Sequence, residues 1–171
     1  ERGGHGIKRL SITGGDPLHP KLLPGTLEIA RAFKRKGYFV NVEAAGTRVV
    51  DELFDMIDFI SFDVKTPSTG VKTSIELVEK MARHYSGKFQ IKAVVEHKLD
   101  FDYCLKMQTE LVSRLSQMSF AWVLTPAYNP NENFPMERFK AVIDWNEEVG
   151  GPFRVTGQKH KWIHGPDKKR V

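Results

Sequence analysis

A strand-like run over residues 7–13 ends in Gly14-Gly15-Asp16-Pro17, and that junction carries the chemistry of a binding loop. Two glycines after Thr13 leave the backbone bare, so a ligand can approach its carbonyls closely, and a carboxylate follows at once. Carbonyls beside a carboxylate suit a ligand's ammonium group. Gly-Gly and Asp-Pro are also common turn dipeptides, so an ordinary strand-to-loop turn accounts for the same residues. Further along, Glu43 and Lys65 are complementary charges suited to a zwitterionic ligand, and Ser61 and Asp63 offer hydrogen-bonding groups beside them. Asp63 and Lys65 could equally form a mutual surface pair worth about 0–1 kcal/mol. Near the end, Gln158 offers both a donor and an acceptor, and His160 and Lys161 could meet a carboxylate. A single histidine in a basic tail otherwise reads as solvated.

These residues must be positioned by regular elements, and the chain alternates between two rhythms. Apolar, β-branched runs over 7–13, 38–43, 59–64, 89–95, 121–125 and 153–156 read as strands. Segments of helical period over 25–36, 49–56, 72–84, 102–117 and 136–148 lie between them, each bounded by Gly, Pro or polar clusters. In the first helix Leu27, Ile29, Ala30 and Phe33 are expected to face inward, with Gly37 as the stop; in the fourth, Asp102 is expected near the start. Strands alternating with helices imply parallel pairing through right-handed crossovers. Asp16, Glu43, Ser61, Lys65, Glu96, Thr125 and Gln158 fall at or just after strand ends. In parallel α/β folds those ends share one mouth, where ligands bind.

At 171 residues, 40% of them hydrophobic, the chain is expected to form one domain around one core. The sequence shows no bilayer-length apolar run and no signal peptide, so a soluble, cytoplasmic protein is expected, with no membrane partner. The net charge of +5 is concentrated in short groups, Lys34-Arg35-Lys36 and Lys168-Lys169-Arg170. Such groups read as solvated helix ends and tails rather than a nucleic-acid surface. His5, His19, His84, His97 and His164 are read as non-ligands, and Trp122, Trp145 and Phe139 as packing residues. Cys104 is the single cysteine, read as a small buried apolar residue. The sequence opens at Glu1 rather than at a methionine, and residues upstream are expected.

Four segments together resemble the radical S-adenosylmethionine (SAM) enzymes, and among them the 7-carboxy-7-deazaguanine synthases. Ser11-Ile12-Thr13-Gly14-Gly15-Asp16-Pro17-Leu18 resembles the Gly-Gly-Glu strand end of radical SAM enzymes, with Asp in place of the more usual Glu. Val42-Glu43-Ala44-Ala45-Gly46-Thr47 is similar to the synthases' Glu-Thr-Asn-Gly-Thr segment, with two alanines at its centre. Ser61-Phe62-Asp63-Val64-Lys65-Thr66-Pro67-Ser68-Thr69-Gly70 looks like their Asp-x-Lys-x-Pro-Ser-Ser-Gly segment, and Arg154-Val155-Thr156-Gly157-Gln158-Lys159-His160-Lys161 like their terminal Arg-x-x-x-Gln-x-His-Lys.

The resemblance implies an α/β fold of radical SAM type, an incomplete TIM-like β/α barrel with parallel strands. It implies SAM held by Thr13, Gly14, Gly15, Asp16, Glu43, Ser61, Asp63 and Lys65, and a pterin substrate met by Gln158 and His160. The implied reaction is conversion of 6-carboxy-5,6,7,8-tetrahydropterin to 7-carboxy-7-deazaguanine, in which a [4Fe–4S] cluster cleaves SAM reductively and Mg²⁺ supports later steps; a homodimer is also implied. The family ligates its cluster with Cys-x3-Cys-x2-Cys, and this sequence has no such triplet, so those ligands and the first barrel strand are expected upstream of Glu1. Two other readings share these residues. One is an activating enzyme for a glycyl-radical protein; the other is a non-catalytic module that keeps the barrel and binds a nucleotide-like metabolite.

Overall fold

Six strands pair in chain order, every neighbour parallel, in a computed structural model that describes residues 6–168. The strands are β1 (Arg9–Ile12), β2 (Phe39–Ala44), β3 (Phe59–Val64), β4 (Phe89–Val95), β5 (Ala121–Pro126) and β6 (Arg154–Val155). Between them run α1 (Leu23–Arg35), α2 (Asp51–Met56), α3 (Ile75–Tyr85), α4 (Lys98–Arg114) and α5 (Met136–Glu148), and α6 (Lys159–His164) follows β6. Right-handed crossovers that always step to the next strand place their helices on one face of the sheet. That is how a barrel winds. With six strands and β1 and β6 at opposite edges, the sheet stays open, so the expected incomplete TIM-like α/β barrel is the architecture observed.

The two faces of the sheet differ in kind. Val40, Val42, Ile60, Phe62, Ile91, Ala93, Trp122 and Leu124 point toward the helices and are buried with Leu53, Phe54, Val78, Met81, Phe101, Cys104 and Leu111. Burying side chains of this size stabilises the fold by roughly 1.5–3 kcal/mol each before entropy is counted. Ser11, Asn41, Glu43, Ser61, Asp63, Gln90, Lys92 and Arg154 occupy the alternate positions and face the lumen. A parallel sheet packed on both faces would be apolar throughout; this alternation marks a face kept for solvent or ligand.

Local chemistry explains most element ends. Pro24 opens α1, Lys34 and Arg35 close it against the helix dipole, and Gly37 stops it at φ +75°. Lys34 also reaches Asp58 at 2.6 Å, so the basic cluster at 34–36 is not a purely solvated helix end. Ile29 is 46% exposed rather than inward, because the buried stripe of α1 runs through Thr26, Leu27 and Ala30. β1 is shorter than its apolar run: it has one neighbour, and pairing extends only from Arg9 to Ile12. The fourth helix starts at Lys98, four residues before Asp102, and α6 is an element with no counterpart in the sequence reading. Trp122 and Cys104 are buried as expected, while Trp145 and Phe139 are half-buried. His5 and Lys169-Arg170 lie outside the described residues. No helix among the described residues is long and apolar enough to cross a membrane.

Candidate functional site

The carboxyl ends of the strands converge on the lumen, and the first of them ends in a bare backbone. Gly14 and Gly15 adopt φ +93° and +62°, which a glycine accepts without strain. A side chain built at Gly14 would meet nothing within 4 Å, and one at Gly15 only Leu22 Cδ1 at 3.6 Å. Thr13, Gly14 and Gly15 are exposed and Asp16 half-buried. The space beside these backbone groups is open to a ligand. Asp16 also serves the turn: its Oδ1 accepts from the Leu18 amide at 3.1 Å and its carbonyl from the His19 amide at 2.8 Å. Both sequence readings of this segment are therefore present in one loop, a turn and an unobstructed backbone.

Thr13 donates to Glu43 at 3.2 Å, which joins the ends of β1 and β2. Glu43 lies beside Ser61 in the sheet register, and its carboxylate is 3.8 Å from Lys92 on β4. Asp63 neighbours Lys92 in register and pairs with Lys65 at 2.9 Å, each side chain 29% exposed. At that exposure the pair contributes on the order of 1 kcal/mol. Ser61 is 5% exposed and accepts from Gln90 at 3.2 Å.

Two devices hold this arrangement. Gly46, at φ +75°, lies so close to the end of β3 that an added Cβ would sit 1.6 Å from the Asp63 carbonyl oxygen. Only glycine fits there, and its absence of side chain fixes the Glu43 loop against Asp63. Asp100, fully buried at the start of α4, accepts from the Ser68 amide (2.9 Å), the Ser68 hydroxyl (2.6 Å), the Glu96 amide (2.9 Å) and the His97 amide (3.2 Å). Burial opposes its charge, but these donors together hold the carboxyl below its ordinary range. Asp100 thereby ties the Thr66-to-Gly70 loop to the end of β4.

A cavity of about 530 Å³ occupies the lumen between β2 and the chain after β6. Glu43, Gln90 and Lys92 line one wall; Arg154, Gln158 and His160 line the other, with Val123 and Thr125 between. Lys92, Val123 and Arg154 are successive register partners, so the two cations stand two strand spacings apart, roughly 10 Å. Gln158 Oε1 is buried and has no hydrogen-bond partner among the described residues. Such an atom awaits a donor. Glu43, Gln158 and His160 are thus brought to one cavity; Ser61 and Asp63 on β3, and Lys65 just after it, lie outside its lining, and Thr13 to Asp16 are linked to it through the Thr13–Glu43 hydrogen bond. Lys92 and Gln90 were not singled out from the sequence, where Arg154 entered only as the first residue of the terminal motif. Their signal was the polar alternation within Phe89-Gln90-Ile91-Lys92-Ala93.

His164 stands four residues after His160 on α6, a spacing that puts both rings on one helix face, yet no three His, Cys, Asp or Glu side chains gather around a metal position among the described residues. Cys104 is fully buried, and burial, then Asp100, push its thiol up to about 12. The chain's single cysteine cannot supply the several thiolates that a [4Fe–4S] cluster needs. The bare rim and the polar lumen do fit SAM, a zwitterion with ribose hydroxyls.

No protein-family profile matches the chain, and no curated protein matches it. Solved structures do match, among them SuiB from Streptococcus suis and the same protein bound to S-adenosylmethionine. Each aligns with a TM-score of 0.56 at 11% identity, over 88% of this chain. The chain spans 39% and 38% of their lengths, about two fifths of SuiB. At that identity the likeness is one of fold, the open parallel β/α barrel.

Proposed function

We propose that this chain is the SAM-binding, substrate-gripping part of a radical SAM enzyme. The observation that carries the reading is the unobstructed Gly14-Gly15 backbone at the end of β1, joined through Thr13 to Glu43 and opening on a polar lumen. The fold shared with SAM-bound SuiB supports it. In this reading the carbonyls around Thr13 to Gly15 and the free Asp16 oxygen receive the ammonium group of SAM. Lys65 meets its carboxylate, and Asp63 and Glu43 face its ribose and sulfonium side. Ser61 accepts from Gln90 and keeps its O–H to donate toward the ribose. SAM bound there supplies the adenosyl group for radical chemistry; the chain's own residues orient it and exclude water. The cluster that such chemistry requires takes its thiolates from outside these residues.

The substrate we infer is 6-carboxy-5,6,7,8-tetrahydropterin, converted to 7-carboxy-7-deazaguanine by a carbon–nitrogen lyase of the synthase type. The buried, unpartnered Gln158 Oε1 suits the N–H edge of a pterin, and His160, with Lys92 and Arg154 near, suits its carboxylate. A cavity of this volume suits a small molecule more than a glycyl-radical protein's loop. The test is anaerobic reconstitution of the full-length protein with iron and sulfide, followed by SAM and the carboxypterin. Formation of 7-carboxy-7-deazaguanine by mass spectrometry is expected. 5′-Deoxyadenosine without the deazapurine would remove the pterin assignment, and neither product would remove both.

A further inference from the structure

Gly157 has an ordinary backbone, so its lack of a side chain needs another cause. That cause is Trp162. A Cβ at Gly157 would sit 1.9 Å from Trp162 Cζ2, 2.7 Å from Cη2 and 2.8 Å from Cε2, so the indole lies directly on the Gly157 backbone. On its other side the indole meets Phe134 and Phe139, each with ring centroids 5.9 Å away, and these two rings stack on each other at 5.1 Å. A second fastening lies one residue before, where Lys161 Nζ donates to the Tyr128 carbonyl at 2.5 Å. Helix α6 is thus pinned to the segment between β5 and α5. Gln158, whose Oε1 is buried and unpartnered, stands at the start of the pinned helix and His160 in its first turn, both on the cavity.

We propose that Trp162 is a positioning residue: seated on Gly157 and held by Phe134 and Phe139, it clamps α6 so that Gln158 and His160 stand at the cavity wall. The proposal rests on the reading of those two residues as substrate groups, and it adds a device neither the motif nor the composition indicates. Trp162 is 46% exposed, so it is no member of the main core, and its removal leaves the barrel folded. The clamp acts on one end of the lumen. Gly14 and Gly15 follow β1 and Asp63 lies on β3, outside the lining of that cavity, so SAM binding at this rim is expected to be independent of the clamp.

The test is a double-mutant cycle in the full-length protein with Trp162→Ala, Gly157→Ala and both together, read by hydrogen exchange and by binding. The amides of Lys161 and Trp162 donate to the Gln158 carbonyl, at 2.9 and 3.3 Å, and report whether α6 is held. Either single substitution is expected to speed their exchange about tenfold or more, with β2 to β5 unchanged. The double variant should match Trp162→Ala, because the three atoms nearest a Cβ at position 157 all belong to that ring. Affinity for the carboxypterin should fall about tenfold in both single variants while affinity for SAM stays within about twofold, and Trp162→Phe should restore most of it. Unchanged exchange, additive effects in the double variant, or equal losses for both ligands would overturn the clamp. A wild-type protein that binds neither ligand would remove the functional reading, and the exchange cycle would then decide the clamp by itself.

Discussion

Asp100 carries no exposed surface and accepts four hydrogen bonds, three of them from backbone amides, so its removal has a calculable cost. Hydrogen bonds to a charged group are worth roughly 1.5–3 kcal/mol each and are not additive, and alanine would leave the amides of Ser68, Glu96 and His97 without their acceptor. Asp100→Ala should therefore destabilise the fold by about 3–5 kcal/mol. At about 2–4 °C per kcal/mol for a chain of this size, Tm should drop by roughly 6–20 °C. The pH dependence has a definite sign. The folded state holds the Asp100 carboxyl below its ordinary value of 3.8, so its contribution is complete above that value and is lost as pH falls through the folded pKa. Urea and thermal unfolding of both proteins at pH 7 and in a series below pH 4 would show a stability gap that narrows in acid. A gap under about 1 kcal/mol at pH 7, or one that widens on acidification, would refute the reasoning.

Gly46→Ala should cost more than about 3 kcal/mol, since the φ of +75° and the Asp63 carbonyl 1.6 Å from the new Cβ act together; near wild-type urea stability would contradict that packing. Cys104 should resist a thiol reagent in the native protein at pH 8 and react at full rate in denaturant, because burial pushes its thiol up to about 12; rapid native labelling would contradict its burial. Glu43→Gln should weaken SAM binding about tenfold with little effect on Tm, since the side chain is 42% exposed and its ion pair is long; an unchanged affinity would remove Glu43 from the site.

Much of the fold was legible because strong local signals coincided with tertiary demand. Phe59–Val64, Phe89–Val95 and Met136–Glu148 have the bounds the apolar pattern indicates, each flanked by breakers or polar residues. The misses have physical causes. The start of α4 is set by Asp100 gathering amides from the preceding loop, a long-range contact invisible in a window centred on Asp102. Ile29 has the same hydrophobicity as its neighbours but lies off the buried stripe. Helix α6 has six residues and little intrinsic stability; Trp162 on Gly157 and Lys161 on Tyr128 hold it, and neither contact follows from local sequence.

At the site, the glycine pair, Glu43 and Gln158 were singled out by residue type and strand-end position, because a parallel sheet directs those positions to one mouth, and Glu43 and Gln158 do line one cavity. Lys92 and Arg154 sit deeper, on the strands themselves. Lys92 was visible only as a polar residue at an alternate position in a strand that would otherwise be apolar, a pattern that distinguishes a lined lumen from a packed one, and Arg154 only as the first residue of the terminal motif.

The most direct measurement is equilibrium titration of this chain with SAM, with Gly15→Val in parallel and folding of both checked by circular dichroism. The account predicts saturable binding at one site, abolished when a branched side chain fills the space beside Thr13 and Gly14. No saturable binding, or binding that Gly15→Val leaves unchanged, would contradict it.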